Sequence, residues 1–212
     1  MGFQAPRGQF EISKVAIIDL GIGNLFSITC ALKKIGLEAE VTSSKQSLPD
    51  VDAVVLPGVG NFKEGSWNLR LLKPKIAQLV KSGIPLFGIC LGMQLLFEDS
   101  EEGPGKGLSL LEGKVLRLPQ QVKTPHMGWN TLKTVKSCEL LDGISENAYF
   151  YFVHSYYASP TDGDVVVAET DYGLNFASVV ASKNIYGAQF HPEKSGEPGK
   201  QILRSFVKIV KR

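Results

Sequence analysis

The chain is poor in the features that mark several large functional classes. Its cysteines number three, Cys30, Cys90 and Cys138, with no CxxC spacing, and its three histidines form no tract. So scattered and odd a set builds neither a disulfide framework nor a zinc site, and no metal or cofactor is expected. An excess of one charge is lacking too. Lys and Arg total 23 against 21 Asp and Glu, a formal charge of +2, which excludes nucleic-acid binding driven by neutralising many phosphates. Long apolar runs are missing: Ile84–Phe97 covers 14 residues, short of the ~20 that span a bilayer, and Gly88, Gly92 and Gln94 interrupt it. It reads as core, with no membrane partner. Residues 1–13 hold no continuous apolar segment of signal-peptide length, so they read as an N-terminal extension to a domain over 14–212, in a cytoplasmic protein. Nucleotide fingerprints are incomplete. No GxxxxGK[ST] occurs, and in the turn opened by Gly21 and Gly23, Phe26 stands where a third glycine belongs.

What is present describes an ordinary globular domain, 43% apolar and 21% charged. Val15–Leu20 is an apolar run followed by a glycine turn; Asn24 can cap a helix in which Leu25, Ile28, Leu32 and Ile35 recur at helical spacing, and Gly36 stops it. The pattern repeats with a strand over Val51–Leu56, a helix stopped by Gly83, and a third strand over Pro85–Ile89 running into a helix from Leu91. Such alternation predicts a parallel sheet with helices on its faces. Beyond residue 148 the segments YFYFVHSYYAS, VVVAET, FASVVAS and IYGAQF read as closely spaced strands before a last helix over about 198–211, which makes the sheet mixed.

One segment has the pattern of a nucleophile elbow. In Gly88–Gly92 (GICLG) a cysteine sits between two glycines where a strand meets a helix, a turn so tight that only glycine leaves room beside it. A helix N-terminus favours thiolate at Cys90, and the next amide, of Leu91, is placed to donate to an oxyanion. The same spacing also serves a buried structural cysteine, the reading kept for Cys30 and Cys138. A thiolate needs a base, and among His126, His154 and His191 the last is singled out because Pro192 biases it to an extended backbone. In an extended backbone Glu193, two residues on, projects to the same side, where a carboxylate can fix the imidazole tautomer.

Together Leu56–Gly60 (LPGVG), Gly88–Gln94 (GICLGMQ) and His191–Glu193 (HPE) resemble the class I glutamine amidotransferases, whose glutaminase domains use a Cys-His-Glu triad. Within that class Asp19–Asn24 (DLGIGN), Pro125–Asn130 (PHMGWN), Tyr151–Tyr156 (YFVHSY) and His191–Ser195 (HPEKS) are similar to the glutaminase subunits of imidazole glycerol phosphate synthases. The resemblance covers about residues 14–212. It implies an α/β three-layer fold, with a central, mostly parallel mixed sheet flanked by helices. It also implies glutamine hydrolysis to glutamate and ammonia through a glutamyl thioester on Cys90, with His191 as base and Glu193 orienting it. By the same resemblance Leu91, Gly58 and Val59 form the oxyanion hole, and Gln94, Glu102, Ser155 and Tyr156 hold glutamine. Asn24, Trp129, Tyr151 and Lys194 face a cyclase subunit in a heterodimer, and that cyclase uses the ammonia in histidine biosynthesis. Judged as residue types alone, Gln94 suits a solvated helix face, Glu102 an acidic loop, and Trp129 and Tyr151 a core. Two rivals remain at this point: a glutaminase of pyridoxal phosphate synthesis, and a catalytically silent module that keeps the fold and regulates a partner.

Overall fold

The computed structural model describes residues 13–23, 25–43 and 50–212; most of the N-terminal extension and Asn24 lie outside them. The first half alternates as the sequence predicts at β1 (Lys14–Asp19), α1 (Leu25–Lys34) and β3 (Ala53–Gly58), and adds between them an edge strand the sequence reading did not include, β2 (Glu38–Ser43). Next come α2 (Phe62–Leu69), α3 (Lys73–Lys81), β4 (Leu86–Cys90) and α4 (Leu91–Gln94). Helix α2 has no counterpart in the sequence reading. It starts at Asn61, whose side chain accepts from the Glu64 amide at 2.8 Å, the usual satisfaction of a first-turn donor.

The second half contributes β5 (Asp99–Ser100), β6 (Gly113–Arg117), β7 (His126–Thr131), β8 (Lys133–Thr134), β9 (Tyr149–His154) and β10 (Tyr156–Pro160). It ends with β11 (Val166–Asp171), β12 (Asn175–Ser182), β13 (Ile185–Ala188) and α5 (Gly196–Val210). The main sheet has the order β2-β1-β3-β4-β13-β12-β11-β8. Its first five strands are parallel and the remaining three antiparallel. YFYFVHSYYAS, read as one strand region, breaks at Ser155: β9 pairs with β7 in a two-stranded ribbon, while β10 joins β6 and β5.

Both faces of β1, β3, β4 and β13 are buried, which is why they read as apolar runs; β2, at the sheet edge, is mostly exposed. Along β1 the alternation sends Val15 and Ile17 into one core with Ile28 and Leu32 of α1 and Phe206 of α5. Ala16 and Ile18 enter the other, with Phe62 of α2, Ile76 of α3 and Met93 of α4. The result is three layers, helices on each side of a mixed sheet. The register of β3 on β4 sets Gly58 beside Cys90.

The turn after β4 is held by contact. Gly88 admits no Cβ because one would lie 2.7 Å from the Gly92 carbonyl oxygen, and a Cβ on Gly92 would overlap the carbonyl of Leu56 in β3. Those are backbone atoms on both sides, with nothing flexible to yield. Replacing Gly92 by Ala is therefore expected to cost about 3 kcal/mol or more, lowering the melting temperature by roughly 6–12 °C. Gly163→Ala, at a site where a Cβ meets nothing within 4 Å, is the control. Equal thermal stability of the two variants would contradict this account of the turn.

Candidate active site

Three neighbouring parallel strands, β3, β4 and β13, deliver the candidate chemistry at their carboxyl ends, where loops of α/β sheets converge. Cys90 closes β4 with φ 55 and ψ −110, a left-handed conformation that costs a non-glycine residue about 1–3 kcal/mol and persists only where its surroundings impose it. The helix behind it is a single turn, Leu91–Gln94. The expected macrodipole therefore reduces to a few local amides. The sulfur is 4% exposed as part of its residue and lies 3.8 Å from the Val153 carbonyl and 3.6 Å from Nε2 of Gln189.

His191 follows β13 in extended conformation, φ −98 and ψ 98. The sequence reading carried that extension on through Glu193, but Pro192–Lys194 is a 3-10 turn. The turn brings the carboxylate back under the ring, with Nδ1 and Oε1 2.9 Å apart and both side chains almost fully buried. Burial by itself would push the imidazole pKa down, yet the Cys90 thiol and the Glu193 carboxylate outweigh it and raise it to about 9. Among the described residues, Nε2 of His191 and Oε2 of Glu193 are the buried side-chain polar atoms left without a hydrogen-bond partner. Glu193 takes Nδ1, so Nε2 is the nitrogen free to exchange a proton with the thiol.

Beside the sulfur a cavity of about 210 Å³ is lined by Cys90, Leu91, Gln94, Glu102, Ser155 and Tyr156, among others including Val59. All four residues assigned to glutamine border it. Gln94 is 4% exposed, not on a solvated face, and its Nε2 donates to the Tyr156 carbonyl at 2.8 Å. Glu102 accepts the Phe62 amide at 2.6 Å; partial burial raises its carboxyl pKa and that hydrogen bond pulls it back. On the far side of Val59 lies a second, narrow space of about 20 Å³ lined by Gly23, Gly58, His191, Glu193 and Lys194. A larger surface hollow of about 860 Å³ at α2 includes none of the candidate catalytic residues.

The remaining assignments divide. Trp129 and Tyr151 are cross-strand partners in β7 and β9, with rings edge-on at 5.8 Å and Lys194 Nζ 5.9 Å from the Tyr151 ring. Trp129 is 56% exposed, so the core placement expected from its residue type does not hold. Asn24 lies outside the described residues. Cys30 and Cys138 are free thiols away from the cavity. The described residues include no cluster able to hold a metal ion and no helix long and apolar enough to cross a membrane.

What the sequence reading missed is polar and buried. His154 Nδ1 donates to the Tyr156 carbonyl at 2.9 Å, which leaves Nε2 to accept from Nδ1 of His126 at 3.0 Å. Desolvation pushes their pKa values down to about 3 and about 4, so at neutral pH both are uncharged. Gln189 is fully buried. An isolated polar residue at the end of the apolar run IYGAQF was the available signal.

The family model "Glutamine amidotransferase class-I" matches residues 16–210. The chain belongs to the class I glutamine amidotransferases. It is 52% identical over 198 residues to the imidazole glycerol phosphate synthase subunit HisH of Methanothermobacter thermautotrophicus, covering 93% of this chain and 99% of that one. To the HisH subunit of Pyrococcus furiosus it is 47% identical over 200 residues, covering 93% and 100%. Among solved structures, PurLQS from Thermotoga maritima matches with a TM-score of 0.73 at 20% identity over 93% of this chain and 99% of that chain. A glutamine amidotransferase of the same organism matches at 0.71 and 17%, over 96% and 100%. These two likenesses concern the fold, and they agree with the three-layer architecture.

The histidines of this amidotransferase should oppose one another in stability. Free histidine titrates near 6.5. His126 and His154 have folded pKa values below that, so the unfolded chain binds more protons between about pH 3 and 6.5, and their contribution is lost as pH falls through that window. His191, raised to about 9, contributes fully below pH 6.5 and loses its contribution as pH rises through 9. Urea midpoints measured from pH 4 to 10 should therefore fall away on both sides of about 6.5. A His191→Gln variant should lose part of the alkaline limb only; a midpoint unchanged from pH 7 to 4 would contradict neutral burial of the pair.

Proposed function

We propose that the chain is the glutaminase subunit of an imidazole glycerol phosphate synthase, hydrolysing glutamine and passing ammonia to a cyclase subunit in histidine biosynthesis. The observation that carries the reading is the 210 Å³ cavity that brings Cys90 together with Gln94, Glu102, Ser155 and Tyr156. It is smaller than the ~300–1,000 Å³ of sites for drug-sized ligands and suits one amino acid. The identity with HisH subunits, which cover almost their whole length, selects this subfamily. The pyridoxal-phosphate rival has no matching observation, and an intact triad argues against a silent module.

In this reading the thiol proton has passed to His191 Nε2, and Cys90 Sγ attacks the side-chain amide carbon of glutamine as the thiolate of that ion pair. The imidazolium then gives that proton to the leaving nitrogen, the carbon–nitrogen bond breaks, and ammonia departs from a glutamyl thioester. Water, deprotonated by His191, attacks the thioester and releases glutamate, and the proton returns to sulfur. Glu193, bound to Nδ1, keeps the proton-carrying nitrogen facing the sulfur. Gln94 Oε1 and Glu102 Oε1 are left to meet the polar groups of the amino-acid end, with the backbone at Ser155 and Tyr156.

Ammonia release without a consumer wastes glutamine, and the oxyanion segment is where control fits. Leu91 offers one amide. The second donor comes from the Gly58–Val59 peptide, which lies between the cavity and the narrow space beside Lys194. Gly23 approaches it so closely that a Cβ there would sit 3.3 Å from the Val59 nitrogen. A cyclase seated on Trp129, Tyr151, Lys194 and the segment at Asn24 therefore bears on that peptide. Glutamine turnover is expected to be low in the isolated chain and roughly 10²–10³ higher with the ligand-loaded cyclase, the worth of one oxyanion donor. Equal rates would contradict the switch. In the complex, Cys90→Ser should lose on the order of 10³-fold or more while ammonium salts still support the cyclase; near-normal glutamine turnover in that variant would contradict the assigned nucleophile.

A further inference from the structure

We propose that Gln189 is a further catalytic residue, whose side-chain amide donates a hydrogen bond to the Cys90 thiolate. The inference rests on Cys90 being the nucleophile. Among the described residues, two groups within hydrogen-bond distance of the sulfur act on its charge in opposite senses. The Val153 carbonyl, at 3.8 Å, accepts from the thiol and repels the thiolate. Nε2 of Gln189, at 3.6 Å, can only donate, so it favours the thiolate. Without it, the fixed dipole of Val153 would face a forming negative charge with no neutral donor to offset it.

The direction of the Gln189 amide is not free. Its Oε1 accepts from Gln94 Nε2 at 3.1 Å, and that same nitrogen donates to the Tyr156 carbonyl at 2.8 Å. A main-chain carbonyl accepts and never donates, so Gln94 cannot turn its oxygen there, and Gln189 cannot turn its nitrogen toward Gln94. The His154 donor at 2.9 Å and the His126–His154 contact hold that carbonyl in place. The chain from His126 to Cys90 therefore has one consistent sense, and it ends with an N–H aimed at the sulfur. Gln189 is also fully buried, so water does not compete for the amide.

The test is the pH–rate profile of Cys90 alkylation by iodoacetamide in the full chain, with Cys90 identified as the labelled residue by peptide mass. The titratable groups facing the sulfur are His191 with Glu193, His154 from β9, and Glu102 across the cavity; all are retained in Gln189→Leu and Gln189→Met, and neither variant adds a charge. Both variants should shift the profile toward higher pH by about one unit, a tenfold loss of thiolate at a fixed pH below the midpoint. Glutamine turnover by the complex should fall about tenfold or more in kcat. Gln189→Met has about the length of the native side chain without an N–H donor and carries the test if Gln189→Leu does not fold. Profiles superimposable on the unsubstituted chain would overturn the proposal. Persistent activity of Cys90→Ser would instead overturn the nucleophile itself, so the two failures are distinct.

Discussion

The approach of Gly92 to the Leu56 carbonyl is the contact on which the site depends. Because no side chain stands between them, the turn after β4 packs directly on β3, and the β3–β4 register then places Gly58 level with Cys90. Cys90, the proposed nucleophile, and the candidate oxyanion segment are thereby neighbours through backbone geometry alone. The positive φ of Cys90 is the cost of that arrangement, and the buried strands on either side sustain it. Adding β13 as the next parallel strand brings His191 to the same edge. Residues far apart in sequence meet because parallel strands end together.

Environment, not residue type, separates the three histidines. His191 has a carboxylate on one nitrogen and a thiol near the other, and holds its proton to about pH 9. His126 and His154 see each other, aromatic rings and a carbonyl, with no carboxylate in contact, and desolvation keeps them neutral. One histidine is thus suited to exchanging protons and two to holding backbone in place. His126 holds His154, His154 holds the Tyr156 carbonyl, and that carbonyl also fixes Gln94, so this wall of the cavity beside Cys90 is braced by a continuous hydrogen-bond chain.

Local patterns were legible in the sequence, and long-range ones were not. GICLG announced a tight strand-to-helix turn, since flanking glycines have few other uses there, and the alternation of apolar strands with helices announced a parallel sheet. HPE signalled a histidine with a carboxylate, although the two meet through a 3-10 turn rather than along an extended strand. The burial of Gln94, the exposure of Trp129 and the hydrogen-bond chain through Gln189 depend on partners up to 99 residues away. No periodicity encodes such contacts. Glu102 illustrates the limit: among several acids in its loop, nothing local distinguishes the one whose carboxylate reaches the Phe62 amide.

In the proposed reaction this parallel-strand edge makes Cys90 the acyl carrier. The most direct measurement is acid quenching of the enzyme during glutamine turnover, followed by mass spectrometry of its peptides. A glutamyl thioester on the peptide containing Cys90, and on neither of those containing Cys30 and Cys138, is the result predicted. Turnover with no adduct at Cys90, or with the adduct on another residue, would contradict it.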